Sequence, residues 1–248
     1  MRSMRLFVEQ PLTVGQQVTL DEKRSHYLQH VLRAAVGNSI TVFDGSGRDY
    51  LARIETLQKK SLQLSITGAA DPLQHIAESP LRSVLAIAIS KGERMDWIMQ
   101  KATELGITAI QPLISQHMAL KMDAARAEKK QRHWQGVVVS ACEQCGRSVV
   151  PQVAAARKLT DWLDSSRGDL KLIFTPGGES FSSIAEAQPC PPAEVSILIG
   201  AEGGFSEAEM TQAKQCDFVG IGFSPRILRT ETAPVVALTL LQQRWGDG

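Results

Sequence analysis

Val84 to Ile89 is almost continuously apolar. A strand with one wet face alternates apolar and polar residues, whereas one that stays apolar throughout is expected in a parallel sheet covered on both faces. A further strand is expected over Val195 to Ile199, whose apolar run Ile197 to Ile199 leads directly into Gly200-Ala201-Glu202-Gly203-Gly204-Phe205-Ser206. Ser206 and Glu209 have the spacing of an N-cap and its third helical residue, the signature of a capping box. The segment is therefore expected to be strand, glycine turn and helix in succession. Glycines at 200, 203 and 204 permit positive φ and bring a ligand close to bare backbone, and the free N–H groups of a helix start favour a polar guest. The same pattern also suits a tight turn with no ligand.

Around this unit the chain keeps alternating. A helix over Met95 to Leu105 carries Ile98, Ala102 and Leu105 on one side and is closed by Gly106. A strand over Ile107 to Ile114 follows, then a long amphipathic helix from Ala124 to Cys145. Further strands are expected at Leu172 to Phe174 and Phe218 to Phe223, with a last helix from Pro234 to Trp245 ended by Gly246. Such a series predicts an α/β domain over residues 82–248 that binds its ligand at the carboxyl ends of the strands. Three segments there are rich in glycine or proline and are expected to converge: Thr175 to Gly178, Gly200 to Gly204, and Ser224 to Thr230. Backbone-lined turns of this kind suit a flat heterocycle.

Residues 1–70 have a different texture. Met4 to Val8 is a short strand, and Asp21 caps a helix over Glu22 to Arg33 with Tyr27, Leu28, Val31 and Leu32 as its apolar stripe. Strands at Ser39 to Phe43, Tyr50 to Leu57 and Ser61 to Thr67 are separated by turns at Asp44-Gly45-Ser46-Gly47 and Lys59-Lys60. Consecutive short strands with tight turns predict a small barrel. Residues 71–81, with Pro72 and Pro80, form a linker.

With 248 residues, 43% hydrophobic and 21% charged, the chain has the composition of a globular protein. Its net charge of +1 excludes a highly basic nucleic-acid coat but leaves room for local basic patches. No apolar run approaches the ~20 residues of a membrane span and Met1 to Gln10 has no signal-peptide core, so a cytoplasmic location is expected. Cys142-Glu143-Gln144-Cys145 has the CxxC spacing, but no second metal-binding pair accompanies it, so the cysteines are expected to be reduced and no metal is expected. The glycine turns match neither GxGxxG nor GxxxxGK[ST], which disfavours nicotinamide and ATP enzymes.

Taken together, Arg94-Met95-Asp96-Trp97, Gln100 to Gly106, Ala141 to Arg147, Leu198 to Ser206 and Arg226 to Ala233 resemble the ribosomal RNA small subunit methyltransferase E family of the SPOUT superfamily. Val31-Leu32-Arg33, Phe43-Asp44-Gly45 and Trp245-Gly246-Asp247 extend the resemblance over essentially the whole chain. It implies a small PUA-like β-barrel for RNA, an α/β domain with a deep trefoil knot, and a homodimer. It also implies methyl transfer from S-adenosyl-L-methionine to N3 of a specific uridine in 16S ribosomal RNA, on an assembled small ribosomal subunit. Two departures fall on the implied cofactor loops: Ala201 stands where the family has proline, and Phe223-Ser224 stand in place of Leu-Gly.

The cofactor residues expected on this basis are Thr175, Pro176, Ile199, Gly200, Ala201, Gly203, Gly204, Phe223, Ile227, Leu228 and Thr230. Arg229 is the catalytic candidate, because a cationic donor aimed at a uracil carbonyl oxygen stabilises the charge that develops as N3 loses its proton. Arg229 could instead pair with Glu231 or Glu202 and hold the loops. Glu202, the second catalytic candidate, has three possible roles: orienting Arg229, accepting a proton, or supporting its loop. His117 and His133 lie outside these turns. Arg5, Arg33, Arg48 and Arg53, with Lys91, Arg94, Lys121 and Arg147, are candidate RNA contacts, each with a plain solvated role as its alternative. Arg126 to Arg132 is expected to be a solvated face, and Trp97 and Trp134 are expected to pack. A catalytically silent RNA-binding module of the same fold and an enzyme acting on a small nucleotide are the other functional readings.

Overall fold

The structure is a computed structural model that describes residues 4–31, 33–58, 61–71, 76–118, 123–223 and 225–248. Leu32, the Lys59-Lys60 turn, Pro72, Lys121 and Ser224 lie outside the described residues. The chain divides into two compact units: residues up to Glu78 together with Cys142–Val150, and Ser79–Ala141 together with Pro151–Gly248.

The first unit is built on β1 (Arg5–Phe7), β2 (Gln17–Leu20), β3 (Ser39–Phe43), β4 (Asp49–Leu57) and β5 (Leu62–Ala69), arranged β1-β3-β4-β5-β2. β1 and β3 are parallel, and the other neighbours are antiparallel. Alternation decides which way each side chain points: Ala52 and Ile54 of β4 are buried, while Leu51, Arg53 and Glu55 face outward. The sheet is curled, so its two edge strands contribute Leu6, Val18 and Leu20 to one core with Ile40, Ile54, Leu62 and Leu64. Asp21 does cap the following helix, its Oδ1 accepting from the Arg24 N–H at 2.8 Å, but α1 (Glu22–His26) is short and passes into a π turn over Tyr27–Val31. The expected stripe is thereby broken: Leu28 is fully buried and Tyr27 is turned to solvent. β2 escaped the sequence pattern because only four residues form it.

Two arginines expected to meet RNA hold this unit together. Arg5 forms an ion pair with Asp49 and donates from Nη2 to the Arg147 carbonyl at 3.1 Å and to Ser148 Oγ at 3.2 Å. Arg147 is buried and ion-paired with Glu78. Neither guanidinium is presented as an open phosphate contact. Glu143 accepts from the Phe7 N–H at 3.0 Å.

The second unit contains β6 (Arg82–Ala88), β7 (Ala109–Ile114), β8 (Gln152–Val153), β9 (Arg157–Lys158), β10 (Leu170–Glu179), β11 (Glu194–Ile199) and β12 (Val219–Ile221). Their order is β12-β10-β11-β6-β7-β8, with β9 also pairing β7, and every pairing is parallel. The helices are α2 (Arg94–Glu104), α3 (Ala124–Cys145), α4 (Leu159–Leu163), α5 (Phe181–Ala187), α6 (Glu207–Gln215) and α7 (Thr232–Trp245). Central strands are buried on both sides, as the apolar runs required: five consecutive residues of β11, Val195 to Ile199, are buried. Ala86, Leu113, Ile173 and Leu198 meet Leu159, Trp162, Ala213 and Phe218 in one core. Trp134 packs as expected, 2% exposed, whereas Trp97 is 40% exposed.

Thr175 to Gly178 leave the ladder as a bulge inside β10: Phe174 and Glu179 both pair with Ile221 of β12, and the four residues between them pair with no strand among the described residues. The glycines permit this, since a Cβ on Gly178 would lie 2.6 Å from the Ile221 backbone. α4 and α5 are only five and seven residues long and left too little periodicity to read.

Candidate active site

The three predicted segments come together at the carboxyl ends of β10 and β11 and the start of α7. They enclose a cavity of about 730 Å³. Thr175 and Pro176 line it from β10; Ile199 to Gly204 line it from the end of β11 and the turn after it; Ile227 to Glu231 line it from the segment before α7. Phe223 lines a smaller adjoining cavity of about 90 Å³, together with Thr175, Pro176, Ile227 and Leu228. Its ring stacks on Phe174, a wall residue of the main cavity, with centroids 4.6 Å apart.

The glycine turn has the geometry its sequence demands. The Gly204 N–H donates to the Ala201 carbonyl at 2.9 Å, closing a four-residue turn, and Gly204 has φ of +65°. A Cβ on Gly200 would lie 3.2 Å from Gly204 Cα. The turn feeds into α6 through the predicted capping box: Ser206 Oγ accepts from the Glu209 N–H, and Glu209 Oε2 accepts from the Ser206 N–H at 2.8 Å. Glu209, itself buried, also accepts from the Gln116 N–H at 2.7 Å, fixing the segment after β7 beside the start of α6.

A chain of alternating charges borders the cavity. Arg94, the first residue of α2, is ion-paired with Glu202, and its Nε lies 3.6 Å from Glu231 Oε2. Glu231 Oε1 lies 4.0 Å from Arg229 Nη1. Arg229 is therefore beside Glu231, as one reading of the sequence had it. The ion-pair partner of Glu202 is Arg94 rather than Arg229. The Arg229 side chain is 83% exposed, while Glu231 Oε2 is buried and accepts no hydrogen bond.

His117 belongs to this site although its sequence position did not mark it. Its Nδ1 lies 3.0 Å from the Gly203 carbonyl, and a Cβ added to Gly203 would meet the His117 Cβ at 3.2 Å. His133 is away from the turns and bonds Asp96 at 2.7 Å. Among the expected RNA contacts, Arg33, Arg48, Arg53 and Lys91 are exposed. Arg126, Glu128, Lys129 and Arg132 are also exposed, giving α3 the solvated face expected of it. Among the described residues no group of three His, Cys, Asp or Glu side chains could hold a metal ion, and no helix is long and apolar enough to cross a membrane.

A parallel sheet with a glycine-lined cavity at its carboxyl edge and a separate curled sheet define a class, and comparison with known sequences gives it a description. Residues 77–242 match the RNA methyltransferase domain family and residues 20–67 the RNA methyltransferase PUA domain family. The chain is 32% identical over 248 residues to the ribosomal RNA small subunit methyltransferase E of Buchnera aphidicola subsp. Schizaphis graminum, covering 99% of this chain and 98% of that one. It is 34% identical to the protein of that name from Synechocystis, covering 94% of this chain and 75% of that one. The chain belongs to the ribosomal RNA small subunit methyltransferase E family. Among solved structures, the Neisseria gonorrhoeae enzyme of that name bound to S-adenosyl methionine is similar at a TM-score of 0.89 and 37% identity, over 99% of both chains. A Legionella pneumophila methyltransferase in complex with the cofactor SAM is similar at 0.93 and 35%, over 100% of both.

Proposed function

We propose that the protein is an S-adenosyl-L-methionine-dependent methyltransferase that methylates N3 of a specific uridine in 16S ribosomal RNA, acting on the assembled small ribosomal subunit. The observation that carries this reading is the convergence of Thr175, Gly200 to Gly204 and Leu228 to Thr230 on one cavity with Arg229 at its border. Its volume, about 730 Å³, lies within the range of cofactor sites. The residues suit this cofactor chemically. Exposed backbone groups around the glycines can read an adenine edge, and Ile199, Ile227 and Leu228 supply apolar walls. Glu231 Oε2 faces the Arg94 guanidinium at 3.6 Å but accepts no hydrogen bond, so it can accept one from a hydroxyl-bearing ligand.

When bound, the cofactor supplies an electrophilic methyl group that needs no further activation. The protein's tasks are to position the attacking nitrogen and to favour a uracil that has lost its N3 proton. Arg229 donates to a uracil carbonyl oxygen and stabilises the negative charge that loss of the proton leaves on the ring. Its exposed side chain leaves it free to meet a nucleotide from solvent. Glu202 supports the glycine turn through Arg94. The cofactor is held by Thr175, Pro176, Ile199, Gly200, Ala201, Gly203, Gly204, Ile227, Leu228 and Thr230 around the main cavity, with Phe223 behind Phe174.

In this reading residues 1–70 form the PUA-like RNA-binding domain, 71–81 the linker, and 82–248 the SPOUT domain with its deep trefoil knot and dimer interface. β11, which enters the sheet late yet lies between β10 and β6, suits a threaded chain. Arg33, Arg48, Arg53 and Lys91 are the exposed candidates for phosphate contact, and the enzyme works as a homodimer in the cytoplasm, where its substrate is. The test is transfer of labelled methyl from S-adenosylmethionine to small subunits lacking the modification, followed by mass mapping of the labelled nucleoside. Label at N3 of one 16S uridine is the expected result. Label on another RNA position refutes the assigned substrate, and cofactor binding without any label on RNA refutes the assigned reaction.

A further inference from the structure

We propose that Arg94 is a positioning residue that clasps the two cavity loops and keeps Glu231 from drawing Arg229 away from the substrate. One guanidinium reaches Glu202 in the turn after β11 and Glu231 immediately before α7. These carboxylates are 29 positions apart in sequence (231 − 202) and both border the cavity, so a single side chain on α2 ties the two loops together.

The charges explain why the clasp matters. Glu231 presents one oxygen to Arg94 and the other to Arg229, at 3.6 and 4.0 Å, so the two arginines share one carboxylate. With Arg94 absent, Glu231 would have Arg229 as its partner, and attraction between opposite charges would pull the exposed guanidinium of Arg229 back onto the loop. The clasp also accounts for Arg94 better than a phosphate contact does. The Arg94 guanidinium is already taken up by two carboxylates, Glu202 and Glu231, which leaves little of its charge for a phosphate. Arginine suits the position because its planar fork addresses two carboxylates at once, as the point charge of lysine does not.

This inference rests on the reading of Arg229 as the group that acts on the substrate. The experiment compares the wild type with Arg94→Ala, Glu231→Gln and the double variant in single-turnover methyl transfer, and follows amide hydrogen exchange in the cofactor-free proteins. Arg94→Ala is expected to slow transfer by about tenfold to a hundredfold, the scale of a misplaced catalytic group. Adding Glu231→Gln is expected to restore most of that loss, because the neutral amide no longer competes for Arg229. A merely structural role predicts the opposite, a double variant worse than either single one. Exchange at residues 200–204 and 230–233 is expected to quicken by about threefold or more in Arg94→Ala and to stay unchanged in Arg132→Ala on the solvated face of α3. Unchanged transfer in Arg94→Ala, no recovery in the double variant, or unchanged exchange overturns the proposal. If the wild type transfers no methyl group at all, the assigned reaction fails, and the exchange measurement by itself still decides the clasp.

Discussion

His117 donates from Nδ1 to the carbonyl oxygen of Gly203 at 3.0 Å, fixing the middle of the glycine turn from a loop 86 residues earlier in the chain. A carbonyl only accepts, so Nδ1 carries the proton. His117→Ala should therefore raise the dissociation constant for S-adenosylmethionine by up to about tenfold, the worth of one ordinary hydrogen bond. Isothermal titration measures this, and an unchanged constant would show that the turn holds its shape alone.

Gly178 tests how closely the bulge of β10 lies against β12. An alanine Cβ there would sit 2.6 Å from the backbone of Ile221, and a neighbouring strand cannot move aside as a flexible side chain can. Gly178→Ala should cost about 3 kcal/mol of stability, seen as a lower urea midpoint at unchanged m-value. Gly177, with φ of +75° but open space around it, should cost less on replacement by alanine, about 1 kcal/mol of backbone strain.

Replacing Arg229 by alanine should separate chemistry from binding. Loss of one charged donor to a developing anion costs about a hundredfold to a thousandfold in rate, while the cofactor dissociation constant should change by no more than about threefold. Equal losses in both would remove Arg229 from the chemistry and return it to loop support. Rapid-quench transfer assays and titration on the same preparation decide between the two.

In the first unit, Arg5 and Arg33 should behave oppositely. The Arg5 and Asp49 side chains are 12% and 8% exposed, so Asp49→Asn strands a desolvated cation and should destabilise the protein by about 3 kcal/mol. Arg33→Ala, on an exposed residue, should leave stability nearly unchanged and instead reduce the salt dependence of RNA binding by about one counterion. Thermal unfolding and binding titrations at several salt concentrations check the pair.

Cys142 makes the chain sensitive to alkali. Burial, only partly offset by the nearby Arg147, pushes its thiol up to about 12 from 9.0. The folded state thus keeps a proton that the unfolded state releases, so stability is fully present below about pH 9 and is lost progressively as pH rises towards 12. Cys142→Ala should flatten that alkaline loss. At neutral pH iodoacetamide should modify the exposed Cys190 well before Cys142, as peptide mass mapping would reveal.

The elements legible in the sequence were those set by local chemistry. Ser206 and Glu209 announced the capping box, Asp21 its cap, and the apolar run Val84 to Ile89 a strand covered on both faces, because each depends on residues a few positions apart. The three cavity segments were legible for the same reason: glycine, proline and hydroxyl residues are confined to a few backbone conformations. Where local signals were weak the outcome differed. β10 resumed at Glu179 after the bulge of Thr175 to Gly178, in which Gly178 lies against β12, and α5 was too short to show a period.

By itself the sequence determined the alternation of strands and helices, the glycine turn and the family to which the chain belongs. The partners of its charges were decided only by tertiary structure. Arg94, Arg5 and Arg147 all resemble surface cations in one dimension, yet they meet Glu202, Asp49 and Glu78 at separations of 108, 44 and 69 residues. An ion pair depends on distance in space, and that distance is set by strand order and loop convergence, which periodicity along the chain does not encode. For the same reason His117 joined the site only once β7 and β11 had brought their loops to the same edge of the sheet.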